Sequence, residues 1–193
     1  MEKINTIEFN GAQLIKGAQN GEQGKIKGFY TLECFDKDGV LKWADEVHNV
    51  VTNVGKNLTL DTVLSGSAYT VTGPFMGLIS SVGFTGAPVI GDTMASHTTW
   101  TEAGATNAPT YSGGRKTCVF SAAAAGAKAL STALGFTFTG SGTVKGLFIA
   151  TGAGAVATVD NTAGTLLSAG LFTGGDKVVA STDVINVSYS LSL

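Results

Sequence analysis

Asp92, Ser96 and His97 bring the three residue types of a hydrolytic relay into one short segment. Such a relay needs hydroxyl, imidazole and carboxylate in hydrogen-bonding order, and the G-x-S-x-G elbow that often presents the serine occurs nowhere in the chain. Asp45, Glu46 and His48 could form half of a metal site. The only two histidines, His48 and His97, show no H-x-H or H-x-x-x-H spacing, and Cys34 and Cys118 form no C-x-x-C, so a zinc set is not expected. The segment Asp36-Lys37-Asp38-Gly39 invites a calcium-loop reading, but an EF-hand register would place Cys34 at the first ligand. A hairpin turn fits better. Gly21-Glu22-Gln23-Gly24-Lys25 superficially resembles a phosphate loop, yet Gln19 stands where its first glycine belongs and Ile26 where its Ser or Thr belongs. Arg115, the single arginine, is expected to pair with Glu102 or Asp92, since a guanidinium fork matches a carboxylate. Trp100 and Tyr111 are too few to build a sugar-stacking face alone. These patterns predict no catalytic residue, cofactor or metal.

The elements that would hold these residues are mostly strands. Phe29 to Phe35 alternates Tyr30, Leu32 and Cys34 against Thr31 and Glu33, and with the turn at Asp36–Gly39 and Val40 to Trp43 it reads as a hairpin. Further strands are expected at Phe75–Ile79, Lys116–Phe120, Phe136–Thr139, Val144–Ala150, Thr165–Phe172 and Val184–Leu193. In the last, Ile185, Val187, Tyr189, Leu191 and Leu193 face one way and Asn186, Ser188, Ser190 and Ser192 the other. Leu60, Val63 and Leu64 recur at helical spacing and predict one short helix over Lys56–Leu64. The run Ser121 to Lys128 has helical propensity, but Gly126 interrupts it and an irregular or strand-edge passage is expected. Residues 1–28 show no sustained period and read as an arm, whose Ile4, Ile7, Phe9, Leu14 and Ile15 are candidate partner contacts; residues 29–193 form the domain.

Composition narrows the function classes. At 193 residues the chain supports one core, and 44% hydrophobic content is enough to build it. Charged residues make up only 13%, and 15 of the 26 lie in residues 1–60, so the later body is poor in charge. A net charge of −2 offers no footprint for a nucleic-acid backbone. No apolar run is long enough to span a bilayer by helix, and the N-terminus lacks the apolar core of a secretory signal. Synthesis in a reducing cytoplasm is expected, with Cys34 and Cys118 as buried small hydrophobes. A free monomer usually depends on a charged exterior for solubility, so a body this bare predicts cover by other chains.

Asn49-Val50-Val51-Thr52-Asn53-Val54-Gly55-Lys56-Asn57, Phe75 to Ser80, Gly91-Asp92-Thr93-Met94-Ala95-Ser96-His97 through Trp100-Thr101-Glu102, Tyr111 to Lys116, and Gly175-Asp176-Lys177-Val178 with its closing strand occur in an order that resembles capsid decoration, or cement, proteins of tailed bacteriophages. The resemblance covers residues 29 to 193 and departs at Thr98-Thr99, where a Gly or Pro is expected. It implies an all-β, jelly-roll-like antiparallel β-sandwich with one short helix and an extended N-terminal arm. It further implies a non-enzymatic virion protein on the capsid exterior, made in the host cytoplasm, with the major capsid protein as partner. A dimer or trimer is expected, with no nucleic acid, membrane or cofactor. The alternative reading is a tail-fibre or receptor-binding module for host surface glycan.

Overall fold

Strand-forming runs separated by glycine-rich turns can bury their apolar faces by stacking sheet on sheet or by closing into a small barrel, and this chain stacks two sheets. The computed structural model describes residues 26–64 and 72–192. Ile4, Ile7, Phe9, Leu14, Ile15 and the Gly21–Lys25 segment lie outside the described residues. In chain order the elements are β1 (Lys27–Phe35), β2 (Leu41–His48), β3 (Val50–Val51), α1 (Asn53–Leu64), β4 (Phe75–Ser80), β5 (Lys116–Thr117), β6 (Ala127–Ala129), β7 (Leu134–Thr137), β8 (Gly142–Thr151), β9 (Thr165–Leu171), β10 (Lys177–Val179) and β11 (Val184–Ser192). They form two antiparallel sheets. One runs β2-β1-β11-β6 with β7 also on β11; the other runs β3-β9-β8-β4-β5 with β10 also on β8. The first and last strands lie side by side, Lys27 opposite Ser192 and Phe35 opposite Val184. The described residues therefore form the expected all-β antiparallel sandwich with one helix among them, and β1 begins two residues inside the stretch read as arm.

The hairpin forms as its residues require. The Asp36 carboxylate accepts the Asp38 and Val40 N–H groups, both at 2.9 Å, and Gly39 turns at φ 77°, a conformation costly for residues with a Cβ. The run after Ser121 is irregular and then strand: Ala124 bridges Ala127 around a turn at Ala125-Gly126. The segment expected as a strand over Lys116–Phe120 forms only Lys116–Thr117, with Phe120 in an isolated bridge to Leu130.

The two sheets are buried to different depths, and their sequences differ accordingly. β1 and β11 alternate, sending Tyr30, Leu32, Cys34, Ile185, Val187 and Tyr189 into the sandwich against Met76, Leu78, Leu147 and Ile149. β4 and β8 are buried almost continuously because a second cluster, including Met94, Trp100 and Phe148, covers their other face. A strand buried on both faces loses polar alternation.

The helix differs from its expectation. It begins at Asn53 rather than Lys56, and the stripe of Leu60, Val63 and Leu64 that predicted it faces outward, at 55%, 73% and 76% exposure. The contact that seats it is Gly55, buried so close to β9 that a Cβ there would lie 2.4 Å from the Leu167 carbonyl oxygen. Thr52 caps the helix, its Oγ1 accepting the Gly55 N–H at 3.1 Å.

Candidate binding surface

Asp92, Ser96, His97, Trp100, Glu102, Tyr111 and Arg115 all lie on one feature, an excursion from Ser81 to Arg115 laid over β4 and β8. It departs after Ser80 and returns antiparallel to the strand it left: the Ser80 N–H donates to the Thr101 carbonyl and the Ala103 N–H to the Leu78 carbonyl, both at 2.9 Å. Beneath it, buried Trp100 packs on Phe148 with centroids 5.4 Å apart, and its Nε1–H donates to Asp92 Oδ2 at 2.8 Å. The same Asp92 oxygen accepts the Val89 N–H at 3.0 Å. His97 stacks on Trp100 at 3.9 Å, with Nδ1 3.0 Å from the Trp100 carbonyl oxygen.

Asp92, Ser96 and His97 thus form no relay. Asp92 is bonded to Trp100 and Val89, His97 is turned to the Trp100 carbonyl, and the exposed Ser96 donates its backbone N–H to Thr93 Oγ1. Their common work is to hold a loop.

Arg115 closes the excursion. Its Nε and Nη2 donate to the two Glu102 carboxylate oxygens at 2.9 and 2.7 Å, and both side chains are buried. Nη2 also donates to the Asn161 carbonyl at 2.6 Å and Nη1 to the Val156 carbonyl at 3.2 Å, while the Asp160 N–H donates to Glu102. The pair therefore pins the β8–β9 connection to the excursion. Burial pushes the Glu102 carboxyl above its ordinary value, against the opposing pull of the guanidinium. Of the two expected partners, Arg115 takes Glu102. Asp92 belongs to Trp100 instead, a pairing that tertiary packing decides because an indole N–H buried beside a carboxylate must be satisfied there.

The remaining candidates scatter. Asp45 turns to Lys177 at 2.7 Å, Glu46 points to the opposite face of β2, and His48 lies against the Phe29 ring, so the half metal site is not assembled. Among the described residues no group of three His, Cys, Asp or Glu side chains converges. Cys34 and Cys118 are both free and buried, and burial pushes their thiols up to about 11 and about 12, which keeps them protonated and inert. A cleft of about 160 Å³ beside Glu102 and Arg115 is lined by Thr101, Asn107 and Asp160 among others, and its two buried charges are already paired with each other. Among the described residues no Phe, Tyr or Trp side chain stands exposed.

The excursion presents something different to solvent. Val82, Val89 and Ile90 are 46%, 53% and 47% exposed, carried on a loop whose underside is fixed by Trp100, Asp92 and Met94. This rigid apolar edge is invisible to motif reasoning, since isolated valines in a Gly/Thr-rich loop carry no signature. Comparison with known proteins returns no match, whether to family models, curated sequences or solved structures.

Proposed function

We propose that the protein is a bacteriophage virion structural protein, a decoration or cement protein that binds the outside of the head and bridges major capsid protein capsomers without catalysis. One observation supports this most: the body carries few charges and ties most of them up in pairs, so its exterior is poor in free charge. Eleven charged residues follow residue 60, and six of them enter ion pairs, Glu102 with Arg115, Lys145 with Asp176, Lys177 with Asp45, and Asp183 with Lys42. Asp92 is buried on Trp100. Solvent meets mainly Thr, Ser, Ala and Gly with apolar tips, a surface suited to cover by a larger assembly.

The test is reconstitution. Purified protein is mixed with heads lacking it, and occupancy is read by cryo-EM and copy number per particle. Saturable binding at fixed lattice positions, with raised thermal resistance of the heads, is the expected result. Absence of head binding together with a positive glycan array would replace this reading with receptor recognition.

A further inference from the structure

The last turn of α1 stands exposed. Residues 60–64 are all exposed, whereas the helix's buried contact lies at Gly55 in its first turn, against β9. Leu60, Val63 and Leu64 form an apolar stripe along this turn. A twelve-residue helix has little stability of its own, so a final turn carrying three uncovered aliphatic side chains calls for a cover.

The chain supplies one. Residues 1–25 carry Ile4, Ile7, Phe9, Leu14 and Ile15, and they join the body beside the base of this helix. The Gly28 carbonyl accepts the Asn49 N–H at 3.4 Å, and Asn49 lies four positions before the first helical residue. From there the stripe is on the order of 18 Å away, the length of a twelve-residue helix at about 1.5 Å per residue. Phe9 and Lys27 stand 18 residues apart in the sequence, and any flexible chain of that length has a root-mean-square span of roughly 23 Å, at 5–6 Å times the square root of the residue count. A tether whose span matches the distance to its target gives close to the greatest effective concentration, of millimolar order, far above that of a second copy at micromolar concentration.

We propose that the Leu60/Val63/Leu64 stripe is the docking seat for the apolar side chains of this chain's own residues 1–25. Docking in cis requires no capsid and stands apart from head binding.

The test uses the full-length purified protein and hydrogen exchange. In an Ile7→Asp/Phe9→Asp variant the amides of residues 60–64 are expected to exchange about tenfold faster, with β8 and β11 unchanged. Protection in the parent protein should hold over an approximately hundredfold dilution. The reciprocal variant, Val63→Asp/Leu64→Asp, is expected to speed tryptic cleavage after Lys16 and Lys25 several-fold. Unchanged exchange in the first variant, or unchanged cleavage in the second, overturns the proposal. Protection that disappears on dilution overturns it too, and gives the seat to a second copy.

Discussion

Arg115 makes four hydrogen bonds inside the protein, two to Glu102 and two to carbonyls of the β8–β9 connection. Arg115→Ala would strand a buried carboxylate and orphan both carbonyls, and breaking one side of a buried pair costs about 3–5 kcal/mol. Urea unfolding is expected to show that loss, and Glu102→Leu/Arg115→Met to recover part of it by removing the uncompensated charge. Asp45 gives a pH signature. Burial pushes its carboxyl up, but Lys177 at 2.7 Å and the N–H groups of Glu46 and Gly174 outweigh this and hold it below its ordinary value. A folded value below the unfolded value of about 3.9 means its stabilisation is complete above that pH and is lost as pH falls through the folded value. The unfolding free energy lost in Lys177→Met should therefore be constant above pH ~5 and shrink below pH ~4; a difference that stayed constant to lower pH would detach the pair from acid unfolding. At this scale the carboxylate–guanidinium match was legible in residue type. Its choice of Glu102 over Asp92 was not, because chain distance does not report which carboxylate lies beside an indole.

Helix α1 shows how an element can be found for an indirect reason. Its apolar spacing predicted a helix, and a helix is there, but the seat is Gly55 and the stripe is turned outward. Gly→Ala at an open helical position should stabilise by about 0.8–1 kcal/mol. Here the added Cβ meets a backbone oxygen, so Gly55→Ala is expected to reverse that sign and lower stability by about 1–3 kcal/mol in thermal unfolding. Thr52→Ala should cost about 1 kcal/mol through loss of the cap. The strands β1 and β11 were readable because each has one wet and one dry face. β4 and β8 were readable as apolar runs, but nothing in them announced that residues 81–115 would supply the second cover.

For the whole molecule, the excursion is the surface whose alteration should separate binding from folding. Val89→Asp/Ile90→Asp changes exposed positions and is expected to leave the unfolding midpoint nearly unchanged while reducing head occupancy at least about tenfold. Equal occupancy would move the interface elsewhere on the body. From the sequence alone followed the strand-rich character, the hairpin turn, the short helix and the scarcity of charge, since each depends on local periodicity, turn chemistry or composition; the pairing of the strands into two stacked sheets did not follow from those alone. Only the tertiary structure decided that Asp92, His97 and Trp100 brace a loop and that Asp92, Ser96 and His97 line up in no relay, that the helical stripe faces outward, and that Arg115 joins two distant connections. Those outcomes depend on which groups meet across the fold, and that is settled when burial forces each polar atom to find a partner and each apolar face to find a cover.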